Sequence, residues 1–356
     1  MSKKLRAAVT GAGWPAWQHI KAYQWSSDVE LVALCDSDAE KLKKTADQYC
    51  IPQRFTSFDE MLNSGKIDVV SICTPNFLHA LMSINAMEKG IHVLCEKPMA
   101  ITVSDGLKML DVSRRTGMTL MVAHQQRFTA QAQYLKKLVS DGCLGEIYHI
   151  RATWVRRRGI PGLGGWFTQK EKSGGGALMD IGVHLIDLSM WLLDFPEPLQ
   201  VVSSWGSRFG VHGKGASTGY PATNNEKNSL FDVDDYVFAQ INLCGGASLQ
   251  LECSWAGHIR GEEFNLEIWG DKGGARLFPL TIYTDHKGLP IDSAPVLPET
   301  NPFEAEINSF IDSVKKGTTL LCHPEQSIRT VELIEMIYKS GTPEKTEVLK
   351  AESAPI

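Results

Sequence analysis

Residues Val9–Gln18 read VTGAGWPAWQ, and the fold turns on how this stretch is interpreted. It overlaps the end of an apolar run, Leu5–Thr10, and leads into a helix-length segment from about Pro15 to Trp25. Gly11-x-Gly13-x-x-Ala16 has the spacing of a dinucleotide-binding turn between a strand and a helix. The first glycine permits the tight turn, and the second lets backbone approach a pyrophosphate. The third position needs only a small side chain for helix–strand packing, which alanine provides. Pro15 is the anomaly. It lacks an N–H, so one donor of the first helical turn is missing, although proline suits that turn conformationally. Trp14 and neighbouring backbone are then expected to meet the pyrophosphate. Taken alone, the glycine pattern also fits a plain structural turn.

The surroundings favour the nucleotide reading. Short runs that are apolar on both faces recur at Val29–Cys35, Val69–Thr74, His92–Cys95 and Thr119–Ala123. Such runs suit parallel strands covered on both sides. Helix-length segments separate them, at Asp38–Tyr49, Phe77–Lys89 and Ser104–Thr116. This alternation predicts an α/β, doubly wound Rossmann domain over residues 1–124. Asp36 ends the second run, 20 residues after Ala16. A carboxylate there accepts hydrogen bonds from ribose hydroxyls and repels a 2′-phosphate. Ser37 and Asp38 follow it rather than an arginine, so NAD is favoured over NADP.

After Ala123 the pattern changes. A helix is expected at Tyr134–Val139, a strand at Glu146–Val155 and another helix at Ala177–Leu193. Alternating segments follow at Val201–Arg208, Asp235–Leu243, Ala247–Trp255, Glu263–Trp269 and Gly274–Phe278, with helices at Pro302–Lys316 and Pro324–Lys339. The expectation for residues 125–356 is an α+β domain with a mainly antiparallel sheet and a mobile loop at Gly213–Ser229.

Composition excludes several classes. The 356 residues carry a net charge of −5, so no general basic field suggests nucleic acid or an anionic membrane as partner. The most apolar windows are too short to span a bilayer, and no signal-type stretch follows the charged start. The eight cysteines contain no Cys-x-x-Cys pair, and several lie in strand-like runs. Reduced, buried thiols in a cytoplasmic protein are the expectation. The histidines show no zinc spacing, so no metal is expected.

Two further clusters carry chemistry. Glu96-Lys97-Pro98 follows the strand His92–Cys95. A lysine at the carboxyl end of a parallel strand faces the ligand crevice, whereas composition alone reads a surface Glu–Lys pair. In Ser173–His184, Asp180 and His184 are four residues apart and share one helix face. A carboxylate beside an imidazole makes a sensible acid/base, but spacing alone fits a structural helix with a buried histidine equally well.

The amino-terminal turn, CTPNFLHA (Cys73–Ala80), CEKPMA (Cys95–Ala100), GGGALMDIGVHLIDL (Gly174–Leu188) and HPEQSIRTVELIEMIYKS near the end together resemble the Gfo/Idh/MocA oxidoreductases. The resemblance covers nearly the whole chain. It implies a Rossmann domain followed by a domain with a large open sheet, used for homodimer or homotetramer contacts. It also implies NAD-dependent hydride transfer at a hydroxyl-bearing carbon of a sugar, glycoside or inositol-like cyclitol. Carried over, Lys97 contacts substrate and cofactor, His184 takes the hydroxyl proton, and Asp180 holds substrate and His184 in register. Thr74, Pro75, Asn76, His79 and Glu96 match the surroundings of the nicotinamide half, and Arg127 matches a position near the cofactor or active site. An arginine at a domain junction also fits a structural ion pair.

Trp166, in the loop after Arg156-Arg157-Arg158, is a candidate cover for a sugar face. The three arginines read as a solvated or intersubunit charge cluster more readily than as a phosphate site. Asp232, Asp234 and Asp235 read as loop and strand-start residues. Two alternatives share the fold: an NAD-dependent glycoside hydrolase that oxidises transiently, and a non-catalytic NAD or sugar sensor. Lys97, Asp180 and His184 are all present, which weighs against the sensor.

Overall fold

The computed structural model describes residues 4–218, 230–341 and 349–350. Most of the loop expected at Gly213–Ser229 lies outside the described residues. Two compact units emerge, Met1–Phe128 with Thr300–Ile328, and Thr129–Glu299 with Arg329–Ile356.

In the first unit the strands are β1 (Leu5–Thr10), β2 (Val29–Cys35), β3 (Gln53–Phe55), β4 (Val69–Ile72), β5 (His92–Glu96) and β6 (Leu120–Ala123). They form one sheet in the order β3-β2-β1-β4-β5-β6, every pair parallel. The helices are α1 (Trp14–Trp25), α2 (Ala39–Gln48), α3 (Phe58–Asn63), α4 (His79–Glu88) and α5 (Val103–Thr116). Every residue of β4 and β6 is buried, as a sheet covered on both faces requires. Strand order reverses between β1 and β4, where an open α/β sheet leaves a crevice at the carboxyl ends. β3 and α3 were not expected. They span three and six residues, too short for a periodic pattern to stand out.

Residues 300–328, expected in the second domain, group with the first unit. Ile307, Phe310 and Ile311 lie three and four apart and join Ile20 and Tyr23 of α1 in one core. Amphipathic spacing shows that Pro302–Lys316 has an apolar face but does not say which core takes it.

The second unit contains α6 (Ala130–Ser140), β7 (Ile147–Val155), α7 (Lys170–Ser173), α8 (Val183–Leu192), β8 (Pro198–Gly206), β9 (Tyr236–Leu243), β10 (Ser248–Ser254), β11 (Glu263–Gly270), β12 (Gly274–Arg276), β13 (Thr281–His286) and β14 (Leu289–Ser293). Helix α9 (Pro302–Lys316) belongs to the first unit, α10 (Pro324–Ser340) contributes residues to both, and β15 (Leu349–Lys350) ends the described chain. The sheet order is β14-β13-β12-β11-β7-β10-β9-β8-β15. Only β7 and β10 run parallel; all other pairs are antiparallel. Val237, Ala239, Ile241 and Leu243 of β9 point inward in strict alternation, and α8 is buried throughout. β14 escaped the sequence reading because all its residues are exposed, so no alternation marks it.

Candidate active site

The carboxyl ends of β1, β4 and β5 carry the candidate residues of the first unit. Gly11 follows β1 with φ +91°, a conformation that disfavours any side chain, and a Cβ there would sit 2.2 Å from the Cys73 carbonyl oxygen. Its N–H donates to the Cys35 carbonyl (2.8 Å), which seats the turn against the end of β2. A Cβ on Gly13 would have nothing nearer than Pro15 Cδ at 3.9 Å. Gly11 is thus filled by the fold, whereas Gly13 opens onto space where a phosphate can approach backbone. Pro15 occupies the first turn of α1, and the half-exposed Trp14 meets Phe303 edge-on at 5.8 Å.

Asp36 follows β2. One carboxylate oxygen accepts from Ala12 N–H (2.8 Å) and the other from Asp38 N–H (2.9 Å). A carboxylate has about four acceptor positions, so capacity remains for ribose hydroxyls. The cradle fits a dinucleotide.

Thr74, Pro75 and Asn76 follow β4. His79 is buried at the start of α4, with Nδ1 2.7 Å from the Pro98 carbonyl and Nε2 2.9 Å from that of Thr74. Burial lowers its pKa, while those carbonyls and Glu96 pull the other way. His79 thereby joins the Thr74 loop to the turn after Lys97. Glu96 is also buried, and the Lys97 N–H donates to its Oε2 (3.1 Å). Arg127 is wholly enclosed and donates to the Leu321 carbonyl (3.0 Å) and to Gln326 Oε1 (2.6 Å). Arg127, expected near the cofactor or active site or in a structural ion pair, ties residues 321–326 to the end of the Rossmann sheet.

The second unit positions Asp180 and His184. Asp180 lies in a π-helical turn, Leu178–Gly182, that runs directly into α8. Single π turns inside helices are common at functional sites. Asp180 Oδ2 accepts from the indole N–H of buried Trp255 (2.9 Å). His184 is buried two positions into α8, its ring centroid 5.6 Å from that of Trp154 on β7. The Arg156 guanidinium lies 4.9 Å from the same indole, and Phe264 packs on it at 4.3 Å. β7 and β10 run side by side, so their ends bring Trp154 and Trp255 to one stretch of helix. Trp166 stacks on Phe167 in a short helical turn, with centroids 3.8 Å apart.

The three aspartates are backbone anchors. Asp232 accepts from Lys170 N–H, and Asp235 accepts from the N–H groups of Arg208, Phe209 and Gly210. Asp234 caps the approach to the π turn. Its Oδ1 accepts from Gly176 N–H (2.7 Å) and the Tyr338 hydroxyl (2.6 Å), and its Oδ2 from Leu178 N–H (2.9 Å). Burial raises its carboxyl pKa, with Tyr338 and the two N–H groups opposing.

Sequence reasoning missed His19, Trp255 and the capping role of Asp234. A signal for His19 existed: Ala16, Ile20 and Tyr23 share its helix face, so an imidazole among them must find a buried partner. Among the described residues, no helix is long and apolar enough to cross a membrane.

Comparison with known proteins completes the picture. Residues 5–124 match the family described as "Oxidoreductase family, NAD-binding Rossmann fold", and residues 132–276 match the "GFO/IDH/MocA C-terminal domain". The chain is 36% identical over 345 residues to D-glucoside 3-dehydrogenase of Escherichia coli (strain K12), covering 96% of each chain. It is 28% identical to levoglucosan dehydrogenase of Pseudarthrobacter phenanthrenivorans, covering 76% of this chain and 73% of that one. Among solved structures, a levoglucosan dehydrogenase in complex with NADH and levoglucosan aligns with a TM-score of 0.85 at 22% identity, over 99% of this chain and 100% of that one. Aldose-aldose oxidoreductase from Caulobacter crescentus aligns with a TM-score of 0.81 at 24% identity, over 98% and 100%.

Proposed function

The chain belongs to the GFO/IDH/MocA oxidoreductase family, and from that premise we propose that it oxidises a ring CH–OH of a glucoside, a related sugar or a cyclitol with NAD. The observation that carries this reading is the likeness to a glucoside 3-dehydrogenase over 96% of each chain, in a chain that carries Lys97, Asp180 and His184. The relatives compared above are named as dehydrogenases or oxidoreductases, which favours oxidoreduction over the hydrolase and sensor readings.

Gly11, Gly13, Trp14 and the first turn of α1 hold the pyrophosphate, and Asp36 holds the adenine-side ribose. Thr74, Pro75, Asn76 and the Glu96–Lys97 turn line the nicotinamide half, with His79 fixing both loops from behind. A bound nicotinamide supplies the hydride acceptor. His184 takes the hydroxyl proton as the carbinol C–H is lost as hydride. Lys97 donates to the same oxygen and stabilises developing alkoxide charge. Asp180, its Oδ2 fixed by Trp255, orients substrate and His184, and Trp166 covers a sugar face. The open sheet face, which exposes Phe238, Trp269 and Tyr283, serves a second copy of the chain. All eight cysteines are free, in keeping with a cytoplasmic setting.

A panel of glucosides, free sugars and inositols, scored for NADH formation, tests the reading. Net NADH with at least one member is expected. Leaving-group release without net NADH would point to the hydrolase, and tight NAD binding without any turnover to the sensor. Replacing Asp36 by Ala is expected to weaken NAD roughly tenfold or more, the loss of hydrogen bonds to a charged group, and to narrow its advantage over NADP. Calorimetric titration with both cofactors measures this, and an unchanged preference removes Asp36 from ribose recognition.

A further inference from the structure

Helix α1 and the Lys97 turn are joined by a buried polar chain. The Tyr23 hydroxyl lies 2.9 Å from Ser71 Oγ, and Ser71 Oγ lies 2.9 Å from His19 Nδ1. His19 Nε2 lies 3.1 Å from Glu96 Oε1, while Glu96 Oε2 accepts from the Lys97 N–H. Tyr23, Ser71, His19 and Glu96 are all buried.

The donors can be assigned. Among the described residues, Ser71 Oγ is the one hydrogen-bond acceptor of the Tyr23 hydroxyl, so Tyr23 donates to Ser71. In the neutral ring the Ser71 proton points to His19 Nδ1, which accepts it. That leaves the His19 proton on Nε2, directed at Glu96. Burial raises the Glu96 carboxyl pKa, but the His19 hydrogen bond and neighbouring basic groups, Lys97 among them, more than offset this and hold it below the usual carboxylate range. His19 Nε2 thus meets a Glu96 carboxylate that also grips the backbone of Lys97.

We infer that His19 is a positioning residue: through Glu96 it fixes the root of Lys97 relative to the helix that opens at the dinucleotide turn. The inference rests on Lys97 acting at the reacting hydroxyl. A misplacement of about 1 Å in such a group can cost a hundredfold in rate, so the link bears on turnover more steeply than on cofactor affinity.

The ionisable groups facing Glu96 are His19 from α1, His79 from α4, Cys73 beyond β4, and Cys95 and Lys97 on its own strand and turn. Glu306 of α9 faces Tyr23 and Cys73. Of these, the hydrogen bond that holds the carboxyl low is the one from His19. Without it, Glu96 takes up a proton at a higher pH.

Three variants test the link. His19→Gln keeps an N–H donor near the Nε2 position, His19→Asn keeps only the Nδ1 side, and His19→Leu keeps neither. We expect kcat to fall about tenfold to a hundredfold in the Leu and Asn variants. NAD affinity should fall far less than kcat, the pH–rate profile should gain an acid limb, and Gln should restore most of the rate. Equal losses in all three variants, or wild-type kcat in the Leu variant, would overturn the inference. Should the Leu variant not fold, the comparison of Asn with Gln carries the test. A second readout needs no turnover: the pH dependence of Lys97 acylation by an amine-reactive ester, followed by mass spectrometry. It should shift in the Leu and Asn variants and not in Gln, and an unshifted profile in Leu and Asn also overturns the inference. A wild-type enzyme that oxidises no sugar would defeat the functional reading alone.

Discussion

Replacing His184 by Ala is expected to lower kcat by about 10²- to 10⁴-fold, the range lost when a positioned acid/base is removed. Binding of NAD should remain close to wild type, because the proposed cofactor contacts lie on the first unit while His184 sits on α8 of the second. The imidazole is buried against Trp154, so truncation also leaves a small cavity, and a modest fall in melting temperature is expected. Measuring NADH formation, NAD affinity and the melting curve on one preparation separates these effects. A folded variant with kcat within a fewfold of wild type would remove His184 from proton transfer. Asp180→Asn provides the companion measurement. An amide keeps an oxygen for the Trp255 indole but loses the charge that supports an imidazolium, so a smaller loss of kcat is expected with stability retained.

Replacing Asp234 by Ala is expected to cause the largest loss of stability. The side chain is buried and accepts from two backbone N–H groups and the Tyr338 hydroxyl. Alanine would leave three buried donors without it, at a cost on the order of 3–5 kcal/mol. For a unit of this size that corresponds to a fall in melting temperature of roughly 10 °C. The backbone has little room to compensate. A Cβ on Gly176 would lie 1.7 Å from the Asp234 carbonyl oxygen, so the two segments are already in close contact. Turnover should fall as well, because Gly176 and Leu178 lead directly into the turn that carries Asp180. Asp234→Asn, which still offers one carbonyl oxygen, should lose less. A melting temperature for the Ala variant within a degree or two of wild type would show that water replaces the carboxylate.

The sequence was most legible where the chain is buried on both sides. Leu5–Thr10 and Val29–Cys35 were placed to the residue, because apolar runs bounded by glycine and aspartate leave few alternatives. Exposed strands such as Leu289–Ser293 carry no such constraint and were not seen. Gly11 and Asp36 stand out in the sequence by type and spacing, whereas Lys97, Asp180 and His184 are candidates through the family resemblance. What holds them in place could not be read there. Trp255 reaches Asp180 across 75 positions of sequence, and His19 reaches Glu96 across 77. Partners that meet only through the tertiary fold leave no periodic trace. Arg127 likewise reaches Leu321 and Gln326 across 194 and 199 positions.

The π turn before α8 makes the relative orientation of Asp180 and His184 a matter of counting. Val183 N–H donates to the Leu178 carbonyl, five residues back rather than four. The extra residue in that turn sets the angular phase of all that follows on α8. Each residue advances an α-helix by about 100°, so losing one residue between Asp180 and His184 would swing the imidazole through about that angle. Substitutions around the pair can be graded in size, but changes in length cannot. This short segment should therefore accept altered side chains far more readily than an insertion or a deletion.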